Sequence, residues 1–403
     1  MSMAGNVSTE LEARTPLDFS ARVAAAAAVA AKFADVVDHD ARFPTEAFEE
    51  LKKQRLLGIL LSPAFGGEGR SVADAAQLCY ALGRVCSSTS MIYAMHAANV
   101  ACVANHADEN ARCFAALRRI GFEQKLLASS TTEGKNGADV RNSAAALVRH
   151  GDRISLDRDA SVVSYGAAAD AIVTTARRSP ESLPSDQTLA LFFKEDYQLR
   201  PTATWDVMGM RGTCSEGFRL LAQGDREQAF SEPYDRIHRR SMVPVTHLLW
   251  AACWAGIAAG AVSRAQTFVR KISRAQKGAP PPGAPLATQA SLSLMNLVAL
   301  VDSAIADYLD RAPEPERLDE IGYQTSLNLL KVSASEGAIA TVMQAFQACG
   351  ISGYRNDSEF SLTRPLRDIL SASIMINNSR ILSTVGPPCL IGGVPEAITR
   401  ARQ

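Results

Sequence analysis

The chain lacks most of what marks a specialised protein class. It carries no net charge, with 42 Lys and Arg against 42 Asp and Glu over 403 residues. There is therefore no basic field to draw a nucleic-acid backbone or an anionic membrane surface. Its eight cysteines (Cys79, Cys86, Cys102, Cys113, Cys214, Cys253, Cys349, Cys389) contain no Cys-x-x-Cys pair. That pattern argues for reduced thiols, a cytoplasmic setting and no zinc site. Uninterrupted apolar runs stop short of the ~18 residues of a membrane span, so none is expected, and the best candidate, 248–262, reads as a buried helix. Nor is a signal peptide expected: Glu10, Glu12, Arg14 and Asp18 precede an alanine-rich stretch too weakly apolar for an h-region. Carboxylates are missing from two places. None occurs within 236–300, and none follows Asp368 in the run 364–378.

What remains is an ordinary globular composition, 47% hydrophobic and 21% charged, long enough for two or three domains. Residues 1–126 read as a helical domain, with helical apolar spacing over 74–84 and 89–104 and a glycine loop at Gly66-Gly67-Glu68-Gly69. Residues 127–235 read as a β-domain. Short runs at 145–148, 153–156, 171–175 and 189–193 have strand length, and 179–187 reads as an exposed loop. Regular strand spacing predicts a small antiparallel barrel or sandwich. Helical patterns return over 246–274, 286–311, 318–349 and 364–385, which predicts a four-helix bundle across 236–403.

Chemistry-bearing residues concentrate where the β-domain opens. Thr131-Thr132-Glu133, followed by Gly137 and Asp139, is a hydroxyl-rich strand end entering a glycine loop, suited to a polar ligand edge. Further on stand Val162-Val163-Ser164, Met208-Gly209-Met210-Arg211-Gly212, Gln347-Ala348-Cys349-Gly350-Ile351-Ser352-Gly353-Tyr354 and Arg367-Asp368. In order and spacing these segments, with the Gly66 loop and the Arg84-x-Cys86-Ser87-Ser88 corner, resemble the acyl-CoA dehydrogenase superfamily over roughly residues 40–385. The resemblance implies an N-terminal helical domain, a central antiparallel β-barrel and a C-terminal four-helix bundle. It also implies FAD at Thr131, Thr132, Gly137, Val163 and Ser164. A second subunit of a dimer or tetramer would contribute Gln347, Gly350 and Gly353. The family's diphosphate-binding arginine aligns with Ile272, so Arg270 and Arg274 are the candidates for that charge.

The missing acids bear on the reaction. Dehydrogenation of an acyl thioester, on CoA or a carrier protein, removes an α-proton and needs a base within hydrogen-bond reach. By resemblance the family's glutamate falls on Ile376, or on Asn377 with a one-residue slip, and neither accepts a proton near neutral pH. Its alternative place, on the first bundle helix, is excluded by the acid-free stretch 236–300. The candidates left are His96, Glu133, Asp357, Glu359 and Asp368, each with a structural reading beside it. The resemblance implies first an FAD-dependent oxidoreductase acting on an acyl thioester, by α,β-dehydrogenation or a variant of it; monooxygenases of the same fold, which use O₂ through a peroxyflavin and need no such base, are the alternative, and a non-catalytic partner subunit is a third. The electron partner is accordingly an electron-transfer flavoprotein, a flavin reductase or O₂.

Overall fold

The computed structural model describes residues 18–133 and 140–392. Five helices come first: α1 (Phe19–His39), α2 (Thr45–Lys53), α3 (Val72–Gly83), α4 (Ser87–His106) and α5 (Ala111–Phe122). Helix α1 starts where the Asp18 carboxylate accepts the Ser20 N–H, and it buries Val23, Ala26, Ala30, Ala34 and Val37 along one stripe. A reciprocal Ser71–Asp74 capping box starts α3. Helix α4 is buried nearly all round, from Ser87 to Val103.

Seven strands follow: β1 (Leu127–Ser130), β2 (Val148–His150), β3 (Arg153–Val163), β4 (Ala171–Arg177), β5 (Gln187–Phe193), β6 (Tyr197–Ala203) and β7 (Glu216–Asp225). They do not close into a barrel and are not wholly antiparallel. One sheet has order β1-β4-β5 and the other β2-β3-β7-β6, and β1 runs parallel to β4. Strands β4 and β5 of the first sheet are buried on both faces, so they read as unbroken apolar runs. Strand β3 instead alternates, turning Ile154, Leu156, Arg158 and Ala160 inward.

The remaining elements are helical: α6 (Tyr234–Ile237), a π-turn (His238–Met242), α7 (Val243–Ala275), α8 (Ala284–Arg311), α9 (Ile321–Cys349), α10 (Ile351–Tyr354), α11 (Thr363–Ile369) and α12 (Asn378–Gly392). Expectation and structure part at 364–385, where one helix gives way to α11, a 3₁₀ turn (Leu370–Ser373) and α12. The break falls on Ile376, whose φ of +48° is left-handed and ends helical propagation. Helices α3 and α7 cross with their backbones nearly touching. A Cβ on Gly83 would sit 2.6 Å from the Cys253 carbonyl, and Gly256 and Gly260 face the Tyr80 and Arg84 carbonyls as closely. By length and apolarity two helices among the described residues could cross a membrane, a point the run-length criterion misses. The helix ending at Ala275 is 89% buried over its apolar window, as a core helix is, whereas α8 is only 17% buried.

All three zones meet at the 208–213 turn. The Asp368 carboxylate accepts the Met210 N–H at 2.6 Å; Arg367 donates to the Met208 carbonyl at 2.6 Å and pairs with Asp38 of α1. Arg211 donates to the Asp38 carbonyl at 2.8 Å. Gly209 lies so close to the Arg367 carbonyl that no Cβ fits. Gly209→Ala should therefore cost about 1–3 kcal/mol as an overpacked core site does. Gly322→Ala, with nothing within 4 Å, should be neutral or stabilising by about 0.4–1 kcal/mol. Guanidinium unfolding of the two variants checks the contrast.

Candidate functional site

His96 is a core residue. It is fully buried, its Nε2 lies 2.9 Å from the Leu57 carbonyl, and its Nδ1 accepts the Leu127 N–H at 3.1 Å. A neutral imidazole protonated on Nε2 satisfies both contacts, and burial pulls its pKa down to about 4. Both ring nitrogens are thus engaged, and His96 is removed from the candidates.

Glu133 is likewise committed. It is buried against Arg158 at 2.8 Å and accepts hydrogen bonds from Ser143 Oγ at 2.7 Å and the Ala144 N–H at 2.7 Å. Burial works against its charge, but Arg158 and these donors outweigh it and hold the carboxyl below its ordinary range. Burial in turn pulls Arg158 down to about 10. Asp368 is buried in the joint, and its loss of water raises its pKa. Asp357 and Glu359 are exposed and paired with Arg355 and Lys271. Among the described residues, then, no candidate carboxylate is both free and enclosed.

The segment that resembles the base-bearing one is held by a residue outside every motif of the sequence. Lys331 on α9 is fully buried and donates to the Ala372 carbonyl (3.0 Å), the Ile376 carbonyl (2.8 Å) and Asn378 Oδ1 (2.7 Å). Asn378 in turn bonds Ser335 and Glu336. Lys331 also lies 5.7 Å from the ring of the buried Trp254. Its position was readable, because Leu327, Leu330, Ala334 and Ala338 mark the buried stripe of α9 on which it stands. The Ile376 and Asn377 side chains are exposed.

The expected flavin face is a set of hydroxyls. Thr131 and Thr132 are half-buried, and the buried Ser130 Oγ beside them has no hydrogen-bond partner among the described residues. Ser164 opens a relay: its Oγ is 2.8 Å from Ser215 Oγ, which is 2.8 Å from Thr213 Oγ1, which donates to the Met210 carbonyl at 2.8 Å. A carbonyl only accepts, so the Thr213 proton points to it, Ser215 donates to Thr213 and Ser164 donates to Ser215. Ser164 then turns lone pairs outward. Ser215 and Thr213 carried no signal in the sequence beyond being hydroxyls near the 208–213 turn. Val163 points into the core, so only its backbone can face a ligand. Gly137 lies outside the described residues.

At the bundle's end, the C-termini of α7 and α9 bring Arg270, Arg274, Gln347 and Gly350 to the surface, beside exposed Ile351 and Tyr354. Gly350 has φ +53°, and a Cβ placed on it would meet nothing within 4 Å, whereas Gly353 is buried against Cys349. A cationic surface with an open glycine turn suits a phosphate brought by another molecule.

Comparison with known proteins bears on the family likeness and the fold. The family model for the acyl-CoA dehydrogenase N-terminal domain matches residues 17–113. Cyclohex-1-ene-1-carbonyl-CoA dehydrogenase of Geobacter metallireducens is 27% identical over 87% of this chain and 90% of its own. The chain is thus similar to acyl-CoA dehydrogenases, in its N-terminal region by the family model and along most of its length by sequence and fold. It is also similar to 3-sulfinopropanoyl-CoA desulfinase of Paraburkholderia xenovorans, at 23% identity over 94% of this chain and 96% of that one. Among solved structures, the FMN-bound form of TdsC from Paenibacillus, a dibenzothiophene monooxygenase, superposes with a TM-score of 0.80 at 19% identity, over 93% of this chain and 98% of TdsC.

Two buried charges yield predictions. Glu133→Gln should cost about 3–5 kcal/mol, the price of leaving Arg158 unpaired. Because the folded pKa of Glu133 is depressed, its contribution is complete above the ordinary value of 4.5 and is lost as pH falls through the folded value. The gap between wild type and variant in denaturant titrations should close in acid. For Lys331 burial lowers the folded pKa to about 8 from 10.5. The folded state therefore binds fewer protons between those values, and wild type should gain stability over Lys331→Met as pH rises from 8 to 10.5. The same variant should lose hydrogen-exchange protection over residues 370–378.

Proposed function

We propose that this protein is a flavin-dependent oxidoreductase whose reaction does not pass a substrate α-proton to a protein carboxylate, and that it acts as an oxygenase with reduced flavin and O₂. The carrying observation is the commitment of the candidate bases: Glu133 to Arg158, Asp368 to the Met210 N–H, and both nitrogens of His96 to backbone. Ile376 meanwhile stands where the family's glutamate would fall. Oxygenation asks for no base there. The flavin we propose is FAD. Thr131, Thr132 and Ser164 would hold its ring edge, and Arg270, Arg274, Gln347 and Gly350 of a second copy would hold its diphosphate. The mostly exposed apolar helix α8 supports a homo-oligomer, a dimer or tetramer, in which that face is covered. A cytoplasmic setting and supply of electrons by a flavin reductase belong to the same reading.

The second reading is dehydrogenation of an acyl thioester, with an electron-transfer flavoprotein as acceptor. It is favoured by the likeness to a CoA-thioester dehydrogenase along most of both chains. The two separate in one experiment. Under anaerobic mixing with a series of acyl-CoA thioesters the flavin absorbance of an oxygenase should stay unchanged; after chemical reduction, admitting O₂ should reoxidise it with oxygen consumed. Anaerobic bleaching by any acyl-CoA at a catalytically competent rate overturns the oxygenase reading. Protein that purifies without flavin and takes none up would leave only a partner-subunit role.

A further inference from the structure

Two adjoining clefts meet at Arg264, on the face of α7 that turns toward α1 and α3. One, of about 670 Å³, is walled by the end of α1 with Asp35, by Ser361 and Thr363, and by Arg364. The other, of about 730 Å³, runs along the alanine face of α1, with Phe19, Ala27, Ala81 and Phe360 on its walls. Arg84, Arg264 and Arg364 line the seam between them.

Arg364 donates to the Val85 carbonyl at 3.0 Å and to Asp35 at 3.1 Å, but the Asp35 side chain is 96% exposed, so water screens that pair. The one carboxylate common to both clefts, Glu359, is taken by Lys271. Arg264 lines both clefts and donates to the Ser361 carbonyl, and no ion pair with a carboxylate is found for it among the described residues. Burial, and then the charge of Arg364, hold the Arg264 guanidinium below its usual range. Two like charges across a half-enclosed cleft, with hydroxyls at the rim, are what a bidentate anion would bridge.

We propose that this cleft binds a small organic anion, its carboxylate or phosphate head held between Arg264 and Arg364 and its apolar body laid along the alanine face of α1. The site shares no residue with the hydroxyl face or with the cationic end of the bundle, and it does not depend on the flavin reading. Isothermal titration calorimetry of the full chain as purified tests it, with hexanoate and hexyl phosphate as probes that separate the two head groups. At least one should bind at one per chain with a sub-millimolar Kd. Inorganic phosphate should bind at least fivefold more weakly than hexyl phosphate if phosphate is the preferred head, since it leaves the apolar wall wet. Arg264→Met should weaken the better probe at least tenfold and Arg264→Lys at least threefold. Arg219→Ala, which removes an exposed pair with Asp157, should change nothing. Circular dichroism checks that each variant folds; if Arg264→Met does not, the lysine variant decides. No heat in wild type, unchanged affinity in the folded Arg264 variants, or release of bound flavin by the probe each overturns the proposal.

Discussion

The joint at the 208–213 turn is the constraint on which the arrangement of the whole chain depends. A carboxylate from α11 closes on a backbone N–H of the turn, an arginine from α11 reaches α1, and an arginine of the turn reaches the carbonyls at the end of α1. Each bond is charge-assisted, and such bonds are about twice as strong as neutral ones. Gly209 lets the two backbones touch. Where α3 crosses α7, Gly83, Gly256 and Gly260 do the same for the helical zones. Backbone contact at both places leaves little freedom for one zone to slide on another, so the clefts between zones are fixed features of the surface.

The buried charges are held as tightly. Glu133 neutralises Arg158 inside the β-region and ties down the strand entry at Ala144. Lys331 is charged at neutral pH in surroundings of carbonyls and an amide, and it fixes the backbone around Ile376. An ammonium there holds the segment in place but has no lone pair to take a proton. A lysine so fully enclosed is also no nucleophile.

Much of the fold was legible because its signals are periodic. The helices read over 74–84 and 89–104 and the long helical patterns of the bundle each follow from helical spacing of apolar residues, and the motif residues of the joint stand together as their order suggests. That the sheets stay open was not legible. Strand runs reveal that strands exist but not whether the last pairs with the first, and here β1 pairs in parallel with β4 while β2 ends the other sheet. The break at Ile376 was hidden for a related reason. The run Ile374-Met375-Ile376 is as apolar as any helix face, and the residue that holds the break, Lys331, lies 45 positions away. Glu133 and His96 look available in the sequence because their partners, Arg158 and the Leu57 carbonyl, are distant along the chain as well.

That hidden break sharpens the functional argument. A continuous helix through 364–385 would carry Ile376 on one of its faces and Asn377 about 100° round from it, and a one-residue slip would decide which faced a substrate. The observed turn removes that ambiguity, since both side chains project from an irregular, exposed segment whose backbone Lys331 holds through the Ala372 and Ile376 carbonyls. In a single copy of the chain this segment and α8 are both open. An isoleucine at that place can exclude water but offers no lone pair to take a proton. It therefore gives nothing to a reaction that begins with deprotonation by the protein.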